Sequence, residues 1–105
     1  MNGAERIAAE RKRQIEEEGW TDIHDDDFCH EELAEAAVCY ALPKKYRVAT
    51  ILFPSPRNLF EVLWNWDIKY WKPTSDRIRE LEKAGALIAA EIDRLLRLEK
   101  EQKNE

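Results

Sequence analysis

The sequence predicts an all-α protein, a small helical bundle of three main helices with an irregular, aromatic-rich connection. Hydrophobic residues make up 44% of the chain and charged residues 37%, with only three glycines and four prolines, a composition typical of soluble helical domains. Apolar side chains recur at helical spacing in three segments that capping or helix-ending residues bound. Because 105 residues suffice for one hydrophobic core, residues 1–105 are expected to form a single domain.

The first helix is predicted over about residues 3–18. Asn2 is a favourable N-cap and Glu5 follows three residues later, which is the spacing of a capping box. Gly19 is suited to end the helix, and Trp20 is expected to fold back against the bundle. The apolar stripe of this helix is thin, so it is expected on the outside of the bundle; the stripe comprises Ala4, Ile7, Ala8 and Ile15.

The second helix is predicted over about residues 28–42, after an acidic loop at 21–27, and Pro43 ends it. The third is predicted over about residues 75–100, with Thr74 or Ser75 as its N-cap and a frayed tail at about 100–105. Between them, residues 44–58 show no strong period, the VATILF segment fits a short strand or a helical turn, and residues 58–66 favour a short helix.

The third helix carries a heptad seam. Its apolar positions are spaced 3, 4, 3, 4 and 3 residues apart, a pattern that packs against partner helices; they are Ile78, Leu81, Gly85, Ile88, Ile92 and Leu95. Gly85 costs a helix about 1 kcal/mol relative to alanine, so we expect a close helix neighbour there. The alanines of the second helix predict that this neighbour is the second helix, packed antiparallel or nearly so.

Residues 64–73 carry the strongest functional signal. Three of the four tryptophans lie here, together with a tyrosine and two lysines, and the set is Trp64, Trp66, Lys69, Tyr70, Trp71 and Lys72. Aromatic faces beside cations suit a nucleotide, because each base that stacks on a ring gains about 1–3 kcal/mol. The same side chains could instead close a small core, since tryptophan buries a large apolar surface. The sequence leaves both interpretations open.

Charge and composition exclude several classes of function. A net charge of −5 argues against broad nucleic-acid binding, which requires a basic face. No apolar run approaches the roughly 20 residues of a membrane helix, and the N-terminal residues lack a signal-peptide core. If Cys29 and Cys39 share the second helix, they lie about 15 Å apart, too far for a disulfide. These features predict a reducing, cytoplasmic setting.

Two constellations could carry metal chemistry. The segment HDDDFCHEE at 24–32 is rich in possible ligands, but its spacing matches no calcium or zinc pattern. Acids in this position also stabilise the positive end of a helix. The sequence therefore predicts neither a metal nor a cofactor. Cys29 beside His30 does not place one side chain to activate the other, and no Gly-rich phosphate loop is present.

Glu32 and Glu35 share one helix face, and EELAE resembles the first motif of the MazG-like nucleotide pyrophosphohydrolases, whose carboxylates hold magnesium. That family needs an E-x-x-D pair on a later helix. The last helix here has a base three residues after each acid instead; the pairs are Asp76 and Arg79, Glu80 and Lys83, Glu91 and Arg94. Ion pairing on the surface is the expected role of those acids. The incomplete carboxylate set predicts that the chain is not an enzyme.

A larger resemblance covers well over half of the chain. ERKRQIEEEGW, HDD, ELAEAAVCYA, YWKP and DRIRELEKAGALIAAEIDRL, at 10–20, 24–26, 32–41, 70–73 and 76–95, resemble a family of small phage and prophage proteins. That resemblance implies a viral accessory protein in the host cytoplasm. Gly19-Trp20, Asp25-Asp26, His30 and Asp76-Arg77 are similar in order to the ryanodine-receptor repeat domain, which implies a nucleotide-like ligand. Thr21-Asp22 and His30-Glu31 depart from that repeat, where tyrosine-glycine and His-Pro stand.

The leading hypothesis is a non-catalytic phage protein that binds a nucleotide-type small molecule and sequesters a host immune signal. A closed pocket in so short a chain further predicts a homo-oligomer. Aromatic side chains are expected to stack on a base, basic ones to meet phosphate, and His24 or Asp25 to bond ribose or base edges. The candidate ligand-binding residues are Arg13, Trp20, His24, Asp25, Tyr40, Trp66, Trp71, Lys72 and Arg77.

Two alternatives belong to other classes. The acidic segment 22–35 holds seven carboxylates and no Lys or Arg, so it could mimic nucleic acid and inhibit a basic host nuclease or CRISPR component. A MazG-like enzyme would require magnesium and would depend on Glu32 and Glu35. Neither alternative involves a membrane or direct binding of nucleic acid.

Overall fold

The computed structural model describes residues 1–28, 31–48 and 59–103, and it confirms the small all-α bundle predicted from the sequence. No β-strand occurs within these ranges. The elements are α1 (Gly3–Glu16), α2 (Asp22–Asp26), α3 (Glu32–Ala41), α4 (Lys44–Val48), α5 (Leu59–Leu63), a 3-10 turn (Ile68–Tyr70) and α6 (Arg77–Lys103). None of the described helices is both long and apolar enough to cross a membrane.

The capping box at the start of α1 is confirmed. The Asn2 side chain accepts a hydrogen bond from the Glu5 backbone N–H at 2.9 Å, and the Glu5 carboxylate accepts one from the Asn2 N–H at 3.0 Å. The helix ends at Glu16, and Gly19 follows with φ of +76°, a left-handed conformation that favours glycine. The two buried residues of α1 are both polar, Glu10 and Gln14.

The acidic loop predicted at 21–27 is wrong, because Asp22–Asp26 forms the short helix α2. Thr21 caps it by accepting a hydrogen bond from the His24 N–H at 3.5 Å. Arg97 of α6 then neutralises both ends of its acidic face, with contacts of 3.2 Å to Asp22 and 2.7 Å to Asp26. The compensating charge comes from a distant helix, which the local sequence does not reveal.

The second main helix begins at Glu32 rather than near residue 28. Glu31 has a φ of +64°, and this left-handed backbone keeps the helix from extending through it. Cys29 and His30 lie outside the described residues, as does most of the VATILF segment. The short helix predicted at 58–66 is present as Leu59–Leu63.

α3 and α6 pack antiparallel, as predicted. Arg77 near the start of α6 bonds backbone carbonyls at the end of α3, and Arg94 near the end of α6 faces Glu32 at its start. Small side chains from both helices form the core between them. The core consists of Leu33, Ala36, Ala37, Tyr40, Ala84, Leu87 and Ala90.

One expectation about α6 is wrong. Gly85 is approached by α1 rather than by α3, because a Cβ on Gly85 would lie 2.5 Å from Cδ1 of Ile7. The large apolar residues of the heptad seam are each 45–58% exposed; they are Ile78, Leu81, Ile88, Ile92 and Leu95. The buried residues of α6 are mostly alanines and charged residues, namely Glu80, Ala84, Ala86, Leu87, Ala90, Glu91 and Arg94.

The start of α6 also differs from the prediction. Asp76 rather than Thr74 or Ser75 acts as the cap, since its Oδ1 accepts a hydrogen bond from the Arg79 N–H at 3.3 Å. Thr74 supports this cap from outside, because its Oγ1 accepts from the Asp76 N–H at 3.2 Å. The N-cap of α6 therefore lies one residue after the second of the two predicted positions.

A buried ion cluster joins the end of α3 to the start of α6. Glu80 is fully buried, and both guanidinium nitrogens of Arg47 donate to its carboxylate, at 2.8 Å and 3.2 Å. Arg47 also donates to the carbonyls of Cys39 and Tyr40 at 3.1 Å and 2.8 Å. The last carbonyls of a helix have no intrahelical partner, so this arginine satisfies groups that would otherwise be buried and unpaired.

Arg77 completes the cluster. Its guanidinium lies 3.4 Å from the Glu80 carboxylate and donates to the carbonyls of Tyr40, Ala41 and Leu42. Burial by itself raises the pKa of Glu80, but hydrogen bonds from Arg47, the Thr74 N–H and Arg77 outweigh it, and the pKa lies below its ordinary value. Glu80 is therefore a charged carboxylate in the interior, held by two arginines.

We expect Glu80→Gln to lower the free energy of unfolding by about 3–5 kcal/mol, because it leaves buried arginine charge without its partner. Urea denaturation at pH 7 measures the change. The matched control is Glu99→Gln on the same helix, which removes an exposed carboxylate 3.4 Å from Lys103 and should cost less than about 1 kcal/mol. Equal small effects would show that the cluster does not hold the fold.

The Glu80 contribution should depend on pH in one direction. A carboxyl whose pKa is lowered on folding stabilises the folded state above its unfolded pKa, here 4.5, and loses that effect as the pH falls through the folded pKa. The stability difference between wild type and Glu80→Gln should therefore be largest at neutral pH and shrink below about pH 4.5. A difference that grows on acidification would contradict this assignment.

The effect of Gly85→Ala on stability should change sign when Ile7, the residue opposite, is replaced by alanine. In the wild type, crowding against Ile7 should cancel the helix-propensity gain and leave a net cost of up to about 2 kcal/mol. In an Ile7→Ala background the same substitution should stabilise by about 1 kcal/mol. A double-mutant cycle by thermal unfolding measures this coupling. A stabilisation of equal size in both backgrounds would mean that the two helices do not meet at Gly85.

Candidate functional site

Aromatic side chains from separate segments meet in one cleft. Trp20 follows α1, His24 lies on α2, Phe28 follows α2, and Trp66 comes from the connection before α6. We call this the aromatic cleft; its lining is completed by Glu18, Asp67 and Tyr70. The cleft has a volume of about 450 Å³. Pockets for small organic ligands typically enclose roughly 300–1,000 Å³, so the aromatic cleft is large enough for one.

The rings of the aromatic cleft hold one another in place. Trp20 and His24 are nearly parallel, with centroids 6.0 Å apart and an interplanar angle of 4°. Trp66 stands edge-on to Trp20 at 6.2 Å and lies 5.3 Å from Phe28. The indole Nε1 of Trp66 is buried and has no hydrogen-bond partner among the described residues.

Asp25 positions His24 from beneath. It is fully buried, and its carboxylate accepts hydrogen bonds from Nδ1 of His24 at 3.0 Å and from Nη2 of Arg11 at 3.2 Å. The contact to Nδ1 fixes the orientation of the imidazole ring. The carboxylate is therefore engaged within the protein, and the imidazole is the group of this pair that lines the cleft.

A polar recess adjoins the aromatic cleft and shares Glu18, Trp20 and Tyr70 with it. Its other lining residues are Glu10, Arg13, Gln14, Tyr40, Lys72, Lys83 and Leu87. The recess has a volume of about 30 Å³, which is room for a water molecule or a small polar group. Gln14 is 1% exposed, and its Oε1 is buried without a donor among the described residues.

The charges of the polar recess are unevenly paired. Arg13 donates to Glu10 at 2.6 Å and 3.0 Å and to Glu18 at 2.9 Å, and the hydrogen bond to Glu10 raises the pKa of its guanidinium. Burial lowers the pKa of Lys83, and repulsion from Arg79 adds to the effect. Lys83 donates to the backbone carbonyl of Lys72 at 3.0 Å and lies over the Tyr40 ring at 5.5 Å. Neither lysine forms an ion pair with a described carboxylate.

Tyr40 links α3 to the connection before α6. Its hydroxyl accepts a hydrogen bond from the Lys72 N–H at 3.2 Å, and burial raises the pKa of the phenol. Its ring lies 4.6 Å from Trp71, which in turn lies 4.6 Å from Phe60. Tyr40 thus fixes the backbone of Lys72 beside the recess.

Six of the nine residues predicted from the sequence line the aromatic cleft or the polar recess: Arg13, Trp20, His24, Tyr40, Trp66 and Lys72. The other three lie elsewhere. Asp25 is buried beneath His24, and Arg77 caps the end of α3. Trp71 lines a separate cleft, where the Arg47 guanidinium lies 5.2 Å from its ring.

Sequence reasoning missed eight lining residues: Glu10, Gln14, Glu18, Phe28, Asp67, Tyr70, Lys83 and Leu87. Lys83 was expected to pair with Glu80, but Glu80 binds Arg47, and Lys83 donates to the backbone carbonyl of Lys72 instead. Tyr70 lies in the aromatic segment and could have been included on that ground. Gln14 gives no local signal, because its role depends on its burial among charged neighbours.

The acids considered for metal chemistry are mostly engaged with other side chains. Within residues 1–28, 31–48 and 59–103, no group of three His, Cys, Asp or Glu side chains is arranged to hold a metal. Glu35 accepts a hydrogen bond from Asn65 at 2.8 Å. The expected ion pair between Glu91 and Arg94 is present at 2.6 Å, but it is buried rather than on the surface.

Cys39 is buried and free, and burial raises its pKa to about 11. The thiol is therefore protonated at neutral pH and is a poor nucleophile.

Comparison of this chain with protein-family models, with curated proteins and with solved structures finds no match.

Proposed function

We propose that this chain binds a nucleotide-type small molecule in the aromatic cleft and holds it without catalysis. The observation that carries the proposal is a cleft of about 450 Å³ walled by aromatic rings from separate segments. Stacking on such rings favours flat heteroaromatic ligands, at about 1–3 kcal/mol per stacked base.

The cations define where a phosphate would lie. Arg13 is already shared between Glu10 and Glu18, so it contributes little free positive charge. Lys72 is exposed beside the polar recess and Lys83 lies behind it, both without carboxylate partners among the described residues. The recess itself is too small for a phosphate, so the phosphate is expected at its exposed edge, near Lys72.

Binding without turnover is supported by the state of the nearby carboxylates. Glu10 is bound by Arg13 and by Arg79, the latter at 2.8 Å, and Asp25 is bound by Arg11 and His24. A general base or a metal ligand must be able to reach the substrate. These two buried carboxylates beside the site form ion pairs with arginines instead.

The resemblance of residues 10–20, 24–26, 32–41, 70–73 and 76–95 to small phage and prophage proteins supports the biological part of the proposal. In that setting the protein is a viral sponge that captures a nucleotide-type immune signal in the host cytoplasm. Capture by mass action requires only tight binding in excess over the signal. The aromatic cleft is formed within one chain, so capture does not require a second copy to complete the site.

The structure favours the two alternatives less. Among the described acids of the segment 22–35, Asp25 is buried and both Asp22 and Asp26 are neutralised by Arg97, which reduces the charge available to mimic nucleic acid. For a pyrophosphohydrolase, Glu35 would have to release Asn65 before binding magnesium.

Isothermal titration with a panel of mononucleotides, cyclic nucleotides and ADP-ribose-type compounds tests the proposal. We expect one compound to bind, with the ligand recovered unchanged after incubation with magnesium. Trp20→Ala should weaken its binding about 5- to 150-fold through loss of stacking. Trp66→Ala removes a second ring from the wall of the cleft, so it should weaken binding over a similar range.

The matched control is Trp71→Phe, which alters a tryptophan of the separate cleft and should leave the affinity unchanged. Circular dichroism of each variant checks that the helices are retained. No binding by any compound of the panel, or binding that Trp20→Ala leaves unaltered, would reject the aromatic cleft as the site. Release of pyrophosphate or another product would replace capture by an enzymatic function.

A further inference from the structure

α6 exposes a continuous line of large apolar side chains. Ile78, Leu81, Ile88, Ile92 and Leu95, which we call the apolar strip, are each 45–58% exposed, and Leu96 beside them is 57% exposed. From Ile78 to Leu95 the apolar strip is about 26 Å long at the helical rise per residue. Monomeric soluble proteins rarely expose apolar patches beyond a few hundred Å², so a strip of this length indicates an interaction surface.

The apolar strip is separate from the core of the bundle. The core face of α6 is formed by other positions, chiefly Ala84, Leu87 and Ala90, which contact α3. The gap in the strip at Gly85 is filled by α1, because the Ile7 side chain lies where a Cβ on Gly85 would be. The exposed surface is therefore apolar from end to end, with Ile7 standing in for the missing side chain.

We propose that the apolar strip is covered by a second copy of this chain, bound antiparallel about a twofold axis that passes between Gly85 and Ile88. The spacing of the strip, 3, 4, 3, 4 and 3 residues when Gly85 is included, reads the same in both directions. An antiparallel copy therefore sets Ile78 opposite Leu95 and Leu81 opposite Ile92. A twofold interface requires this self-complementarity, since the same patch must fit itself.

Antiparallel pairing also sets Ile88 of one copy against Gly85 of the other, where the Ile7 side chain completes the apolar surface. Two apolar helix faces about 26 Å long bury on the order of 1,000 Å² together with their flanks, the size at which specific interfaces begin.

The charge of the chain is compatible with self-association at this face. Each copy carries a net charge of −5, which opposes dimerisation in general, but no residue of the apolar strip is charged. The dimer therefore excludes charged groups from the centre of its contact, as interface cores generally do. The apolar strip shares no residue with the aromatic cleft, so this inference does not depend on the proposed ligand.

Light scattering after size-exclusion chromatography tests the proposal. We expect the wild type to have twice the 12.4 kDa mass of one chain over the micromolar range, and Ile88→Glu to have the mass of one chain with unchanged helicity. The matched control, Val38→Glu, places the same charge at a residue of α3 that is 43% exposed, and it should remain dimeric. A wild type that is monomeric throughout this range would overturn the proposal.

Disulfide trapping tests the orientation without disrupting the strip. In a Cys29→Ser background, with the buried Cys39 retained, the variants Leu81→Cys and Ile92→Cys are oxidised separately and as a mixture. Antiparallel pairing predicts cross-linked dimers in the mixture and little in either variant alone, because the two positions face each other across the interface. Cross-linking of each variant to itself would indicate a parallel or different contact and would overturn the antiparallel arrangement.

Discussion

The ion cluster of Arg47, Glu80 and Arg77 is the constraint on which the other contacts of this bundle depend. It supplies donors to the carbonyls that end α3 and so allows that helix to finish against α6 inside the protein. Tyr40, whose carbonyl accepts from both arginines, is thereby fixed, and its hydroxyl in turn holds the backbone of Lys72. The arginines that bond the last carbonyls of α3 therefore also fix the position of the polar recess, through Tyr40 and Lys72.

The burial of charged residues also explains why large apolar residues of α6 remain on the surface. Glu10, Asp25, Glu80 and Glu91 are all buried, each beside at least one arginine. Buried ion pairs add little net stability, because desolvation offsets much of their attraction. These charged groups occupy interior space that the larger apolar residues of α6 would otherwise fill. In the dimer proposed above, a second copy covers those apolar residues instead.

Much of this fold could be predicted from local sequence signals. The pairing of residues that are distant in sequence could not be predicted in this way. The capping box at Asn2, the role of Gly19 and the alanine-rich contact of α3 with α6 depend on neighbours in the sequence or on side-chain size, and they are confirmed. The partner of Glu80 comes from 33 residues away, so the spacing to Lys83 was misleading. A heptad seam predicts only that a helix packs against an apolar neighbour. It does not indicate whether that neighbour belongs to the same chain or to another copy.

The wall of the aromatic cleft depends on contacts between residues of separate segments. Trp20 is stacked with His24, and the buried carboxylate of Asp25 fixes His24 through its Nδ1. Because Asp25 also accepts a hydrogen bond from Arg11 of α1, the orientation of this wall follows from the packing of α2 on α1. A flat ligand in the aromatic cleft would therefore meet rings that are already ordered, which lowers the conformational cost of binding.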